Sequence, residues 1–499
     1  MNQPTGRKPL PKLSKSSFNA GLQCLKRLYL ESFHRELVPP VDEAQQAVFD
    51  AGTRIGELAR DLYPGGTLLE QDHLHINDAI AETKKIIAGP PVAAIYEGGF
   101  LFDDVRVRVD ILPRTARGRH DLIEVKSTTS VKEEHIPDVA IQLYVLEGAG
   151  VKVGRACLAH LNKEYVYPGG DYDLRQLFAI EDVTAKAEEY LPSIPAALKE
   201  MRLALAGAQP PQVRPGRQCA NPHDCPLVDY CQEGRTGHPV VQLPRASQSL
   251  LALLESAGIE DIRDIYAGFA GLNQLQRRVR DCVVNNRAYL NPAIRRELAG
   301  LEHPVHFLDF ESFNPALPLY PGTRPYQVIP FQWSDHVMGP GGKLAHREFL
   351  HDGSSDPREP LARSLLKTLG RSGSIVVYSG FEETRIRELS EALPHLAKDL
   401  LALLDGRIVD LHPLVRDNCY HPDFHGSFSL KAVLPALVPE LGYGDLDITN
   451  GQEASLAYAE MIDQATPDSR RQEIRADLLS YCGRDTEAMV RLVDTLRGA

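Results

Sequence analysis

Residues 105–129 read VRVRVDILPRTARGRHDLIEVKSTT. Two runs of alternating apolar and polar residues flank a turn rich in arginine, the pattern of two paired strands. Side chains along a strand alternate between faces. In the first run Val105, Val107, Val109 and Ile111 share one face, while Arg106, Arg108 and Asp110 share the other. In the second run Leu122, Glu124 and Lys126 share a face, with Glu124 and Lys126 about 7 Å apart. Adjacent strands bring Asp110 beside them. Two carboxylates converging beside a lysine suit a hard divalent cation, Mg²⁺ or Mn²⁺, bound through oxygen. The bland alternative is an exposed strand face carrying ordinary charges.

Around this pair the chain alternates between strand and helix patterns. Residues 14–36 predict one helix capped by Ser14 or Ser16, and 43–62 a second. Short strands fill 94–166, interrupted by a helix in PDVAIQLYVLEGAG (137–150). A long helical segment from Asp182 to about Gly207 leads into a proline-rich stretch. Residues 241–300 look helical throughout, with SLLALLESAGIEDIRDI (249–265) broken at Gly258; a linker bundle is expected there rather than a hairpin touching a nucleic-acid backbone. From 301 a new alternation begins with PVHFLDFESF, SIVVYSGFEE and RIVDLHPLV, and ends in a terminal helix. At 499 residues the chain exceeds one hydrophobic core. The expectation is an α/β protein in three parts: 1–240, a helical linker at 241–300, and 301–499.

The formal charge is −12, which argues against bulk electrostatic coating by nucleic acid but leaves room for a local basic channel. Residues 1–40 carry seven Lys or Arg against two acids, so charge is segregated. The basic N-terminus has no apolar core of a secretory signal, and no apolar run is long enough to cross a bilayer. A cytoplasmic protein with no membrane partner is expected. Eight cysteines are too few for a disulfide scaffold. Three of them, Cys219, Cys225 and Cys231, sit in CANPHDCPLVDYC (219–231), where clustered thiols point to a metal. Cys157, Cys282, Cys419 and Cys482 lie among apolar neighbours and are expected to be small core residues.

An acidic helix, then Asp110, then Glu124-x-Lys126, then a helix carrying Gln142 and Tyr144 resembles the RecB-like branch of the PD-(D/E)XK nucleases. The resemblance implies a restriction-endonuclease-like domain with Asp110, Glu124 and Lys126 catalytic. Gln142 and Tyr144 would support the site or the DNA. It makes Glu57, in GTRIGELA, the early-helix metal ligand, a position where some relatives have histidine. A subset of these nucleases carries a 4Fe–4S cluster on one cysteine before the core and three after it. By that resemblance Cys24 joins Cys219, Cys225 and Cys231, stapling the first helix to the end of the domain. All-thiolate ligation also suits zinc, although the spacing departs from the paired C-x2-C of many zinc sites.

VHFLDFESF (305–313) places Asp309 and Glu311 on one strand face with Val305 and Phe307. Two acids ending an apolar strand are costly unless neutralised. In LLSYCGRDTEAMVRLVDTL (478–496) the apolar stripe contains Tyr481 and, one turn on, Asp485. A D-x-E strand with a terminal Y-x3-D helix resembles the tyrosine subgroup of DEDD 3′→5′ exonucleases, which have an RNase H-like fold. That resemblance implies Asp309, Glu311 and Asp485 as metal ligands and Tyr481 as the group positioning the attacking water. Where the family has an aspartate after the strand SIVVYS, this chain has Glu382; Asp410 in RIVDLHPLV is the substitute. Together the halves look like a bacterial family joining the two nuclease types. The resemblance implies a Mg²⁺- or Mn²⁺-dependent DNA nuclease in repair or defence. An RNA-processing nuclease and an inactive iron–sulfur nucleic-acid-binding module are the alternatives.

Overall fold

The runs at 105–113 and 120–126 are neighbouring strands in the computed structural model, which describes residues 10–233 and 237–498. The basic start of the N-terminal segment, 1–9, lies outside the described residues. The chain is mixed α/β and divides into two compact units, Met1–Arg235 with Ala316–Tyr326, and Thr236–Pro315 with Gln327–Ala499.

The first unit contains strands β1 (Leu13–Ser14), β2 (Thr67–Leu68), β3 (Ala94–Phe102), β4 (Val105–Pro113), β5 (His120–Lys126), β6 (Val153–Leu161) and β7 (Phe178–Asp182). They form one sheet in the order β2-β3-β4-β5-β6-β7, with β1 pairing to β4. Asp103 and Asp104 turn β3 into β4 with φ of 48° and 52°. Two successive positive φ values give the hairpin turn whose twist matches the strands. β4 and β5 are antiparallel, whereas β5 and β6 are parallel, so a crossover must link them. The helix Ile136–Gly148 supplies it and buries Val139, Ile141, Leu143 and Leu146, but also Asp138 and Gln142. The segment Ala316–Tyr326 belongs to this unit: Leu317 is buried in its apolar cluster and Tyr326 donates its hydroxyl to the Ser127 carbonyl at 2.7 Å.

The helix expected over 14–36 is two helices, Lys15–Gln23 and Leu25–Phe33, with Cys24 extended between them (φ −164°, ψ 120°). Ser14 caps the first through a reciprocal bond with Ser17.

The second unit contains β8 (Tyr289–Leu290), β9 (Val305–Phe313), β10 (Ile329–Met338), β11 (Leu344–Leu350), β12 (Ile375–Val377), β13 (Ile408–Asp410) and β14 (Cys419–Tyr420). Five of them form a mixed sheet in the order β11-β10-β9-β12-β13. β10 runs antiparallel to the central β9, and β12 runs parallel to it. The 31-residue terminal helix Asp468–Gly498 packs on β9 and β10 through a buried stripe that includes Leu478, Cys482, Met489 and Leu492.

The 241–300 stretch is part of the second unit rather than a separate linker. Leu254, Ile262, Val279 and Ile294 share one core with Phe307 and Met489. Burial of that apolar face against the later sheet is the reason. Among the described residues no helix is long and apolar enough to cross a membrane.

Candidate functional sites

In the first unit Asp110 from β4 and Glu124 from β5 meet as the alternation of the two strands predicts. Asp110 accepts the Val125 N–H at 2.8 Å. Glu124 is only 1 % exposed and takes three donors: Lys15 Nζ at 2.7 Å, Lys126 Nζ at 2.9 Å and Gln142 Nε2 at 2.7 Å. Lys126 also pairs with Asp138, which in turn accepts from Asn19. Burial pushes Glu124 up, but Lys126 and Lys15 outweigh it and hold the carboxyl at about 2. Asp110 is pushed up to about 7 by burial, with the Glu124 charge adding to it. Burial opposes the charge on Lys126, yet Glu124 and Asp138 keep its pKa above the ordinary lysine value. One carboxylate is thus fully charged, while its neighbour holds its proton well above the ordinary aspartate range.

Glu97 extends this acid set. The pairs Tyr96↔Ile111 and Gly98↔Val109 set Glu97 opposite Asp110, and its charge acts on Asp110. Its φ of 58° is unusual for a glutamate within a strand and marks a locally strained backbone. Arg60 at 2.7 Å and Arg108 at 2.8 Å hold its carboxylate.

Gln142 therefore reaches the acids, and two other expected residues do not. Glu57 lies exposed on the helix Glu43–Arg60, with no ion pair to the site among the described residues; Arg60 of that helix reaches Glu97 instead. Tyr144 donates its hydroxyl to Asp103 at 3.1 Å, away from Glu124. Two residues along a helix rotate a side chain by about 200°, so Gln142 and Tyr144 face opposite ways. Lys15, Asp138 and Glu97 were missed. Asp138 had a signal, since it precedes Gln142 by one turn on the same helix face. Lys15 had none, being 109 residues from Glu124.

Cys24, Cys219, Cys225 and Cys231 line one small pocket together with Leu30 and Leu227. Gln23 clasps the two segments, donating to the carbonyls of Gln218 at 2.7 Å and His223 at 2.6 Å. The Gly216 N–H donates to Cys219 Sγ at 3.5 Å. Four cysteines lining one pocket, with an N–H aimed at one sulfur, are a donor set suited to a thiolate-bound group, iron–sulfur or zinc.

In the second unit Asp309 and Glu311 project from β9, Glu382 from the helix Phe381–Ala392, and Asp485 from the terminal helix. Glu311, Glu382 and Asp485 are buried and Asp309 is half-buried. Burial raises the pKa of all four, Glu382 to about 8. The Asp485 charge raises Asp309 and Glu311 further. The Glu382 Oε2 atom is buried without a hydrogen-bond partner among the described residues. Such a cluster is costly when ionised unless a cation sits among the oxygens, and an all-carboxylate set suits a hard one.

Tyr481 is buried, and its hydroxyl accepts from Lys431 Nζ at 2.7 Å. Lys431 also stands over the rings of Tyr481 and Tyr443, at 4.6 and 5.2 Å from their centroids. Tyr443 donates to Asp485. Burial, and then the Asp485 charge, push the Tyr481 hydroxyl far up, so it stays neutral. Lys431 and Tyr443 were not foreseen. Cys482 is buried as expected but is more than core filling: its thiol donates to Asp309 Oδ2 at 3.4 Å. Its Sγ, with oxygens of Asp309 and Glu311, forms a trio lying mutually within 4.8 Å. Asp410 is near enough for its charge to act on Glu382, while its Oδ1 accepts from the N–H groups of Ser379 and His412, each at 2.9 Å. It caps the helix Leu411–Asn418, and of the two candidate middle acids Glu382 is the more deeply buried. His306, on the other face of β9, is satisfied by buried Asp335 at 2.8 Å.

Residues 306–429 match the model of a domain of unknown function, DUF2779. The match takes in Asp309, Glu311, Glu382 and Asp410 and stops short of Lys431, Tyr481 and Asp485. No curated protein matches the chain.

Proposed function

We propose that this protein hydrolyses phosphodiester bonds of nucleic acid, DNA before RNA, at two divalent-cation sites, one in each compact unit. The observation that carries the reading is the group Asp309, Glu311, Glu382 and Asp485, whose Glu382 has a buried, unpartnered carboxylate oxygen. Four acids gathered at that cost are understandable as a cation cradle and hard to explain as packing. Asp110 and Glu124 are the corresponding ligands in the first unit.

A bound Mg²⁺ or Mn²⁺ supplies Lewis-acid polarisation of the phosphate and an acidified water. In the first site Lys126 and Lys15 offer two ammonium groups to the charge that grows on the phosphate oxygens. Asp138 and Gln142 fix their geometry by holding Lys126 and Glu124. In the second site Tyr481, oriented by Lys431, is a neutral hydroxyl placed to hold the attacking water. Its position agrees with the resemblance to the DEDD tyrosine exonucleases. The first unit supports the PD-(D/E)XK resemblance through Asp110, Glu124, Lys126 and Gln142. Cys24, Cys219, Cys225 and Cys231 would hold a 4Fe–4S cluster in a structural role, with zinc as the alternative.

The test is incubation of anaerobically purified protein with 5′-labelled single-stranded DNA and Mn²⁺, beside Lys126→Ala, Asp485→Ala and the double variant. Each single variant should change the product ladder and the double variant should leave the strand intact. DNA and RNA both uncut by the wild type would sink the reading. Iron and sulfide content of the same preparation separates a cluster from zinc.

A further inference from the structure

The second unit carries a basic groove apart from its carboxylate cluster. One wall is the helix Gln274–Asn285, on which Gln274, Arg278, Asp281 and Asn285 recur at one-turn spacing and line the groove. The rest of the lining comes from the segment 287–291, which holds β8 with Tyr289 and then Asn291, and from Asp417. The groove has a volume of about 970 Å³, at the top of the range for ligand sites, about 300–1,000 Å³.

Its charge opposes that of the chain. Arg277 and Arg287 line it, exposed, with no ion pair or side-chain hydrogen bond among the described residues. Arg278 stacks over the Tyr289 ring, 4.9 Å from its centroid, and is anchored by the Asp417 carbonyl at 2.5 Å. Its Nε is buried without a partner. The two acids on the walls are already engaged: Asp281 by Arg280 and Asp417 by Arg416, both at 2.7 Å. Two free guanidinium groups and an arginine-backed aromatic ring in one groove match a phosphate chain with an unstacked base.

We propose that this groove binds single-stranded nucleic acid and carries it toward the carboxylate cluster, an assignment that rests on the hydrolytic reading only for its destination. The helix Leu411–Asn418 sets the scale. It runs from Asp410, whose charge acts on Glu382, to Asp417 on the groove wall. Its eight residues span about 12 Å, or about four stacked nucleotides at about 3.4 Å each. The arginine-bearing helix lies outside the segment that matches the domain model.

The test measures anisotropy of a labelled twelve-nucleotide oligo(dT) strand with the full chain in EDTA, across salt concentrations. Arg277→Ala/Arg287→Ala should weaken binding about tenfold at low salt. The slope of log K against log salt should flatten by about 1.4, at about 0.7 per single-strand phosphate contact. Tyr289→Ala should cost about fivefold or more, and Tyr289→Phe should retain affinity. Both arginines are exposed, so an unchanged melting temperature verifies folding of the double variant. Wild-type affinity and slope in that variant would overturn the groove, as would equal affinity for a blunt duplex or displacement by polyglutamate at matched charge. A wild type that binds through these arginines yet leaves DNA and RNA uncut with Mn²⁺ would support the groove and overturn the hydrolytic reading. Cleavage with arginine-independent affinity would do the reverse.

Discussion

Glu382 is a buried member of the four-acid cluster in the second unit and has a carboxylate oxygen without a hydrogen-bond partner among the described residues. Its carboxyl is raised to about 8, chiefly by burial. An acid bound more tightly to its proton in the folded state than in the unfolded state opposes folding once ionised. Metal-free protein should therefore lose stability as pH rises from the ordinary glutamate value, about 4.3, through about 8. Asp309, Glu311 and Asp485 act in the same direction. Thermal melts across that window should fall for the wild type and fall less steeply for Glu382→Gln. Adding Mn²⁺ should raise the melting temperature more at pH 8 than at pH 5, because the ligands must lose their protons to bind. A wild-type melting temperature that climbs with pH in the absence of metal would contradict this electrostatic account. Cys482 touches the same acids, and its thiol is itself pushed up by burial and by Asp309, so it sits there as a neutral donor.

At the scale of single elements, the helix Ile136–Gly148 separates residues that sequence alone had grouped. Its buried side presents Asp138 and Gln142 one turn apart, whereas Tyr144 points to the β3–β4 hairpin. Gln142→Leu removes the donor to a buried carboxylate and should cost about 1–3 kcal/mol in urea unfolding. It should also slow first-site hydrolysis. Tyr144→Phe loses one exposed hydrogen bond and should stay within about 0.5 kcal/mol with turnover near wild type. Equal losses in the two variants would put Tyr144 back in the site. The Lys15–Gln23 helix is the other telling element: nine residues carry Lys15 at one end, on Glu124, and lead directly into Cys24.

For the whole molecule, the thiol pocket draws on both ends of one unit. Cys24 and Cys219 are about 200 residues apart, and a group bound to both, as proposed, would remove much of the freedom of the unfolded chain. Calorimetry should resolve two unfolding transitions, one for each compact unit. Cys231→Ser should lower one of them by about 5 °C or more and leave the other in place. A single transition that shifts as a whole would mean that the units unfold together. The chain does not divide cleanly by sequence either: Ala316–Tyr326 belongs to the first unit although it lies between strands of the second.

The sequence by itself determined the elements and faces that local periodicity controls. Alternation in 105–126 placed Asp110 with Glu124 and Lys126, and the helical stripe of 478–496 placed Tyr481 and Asp485 on one buried side. The spacing of 219–231 grouped three cysteines, whereas Cys24, named by resemblance alone, reaches their pocket only through the tertiary structure. These features depend on neighbours a few residues apart, and backbone geometry fixes them before any packing. Only the tertiary structure decided what arrives from elsewhere in the chain. It brought Lys15 to Glu124, set Glu97 opposite Asp110, aimed Lys431 at Tyr481 and turned Cys482 onto Asp309. It also turned Glu57 and Tyr144 away from the first site and folded 241–300 into the second core. A strand or helix pattern states which face a residue occupies; which distant residue meets that face is settled by burial and charge pairing once the chain has closed on itself.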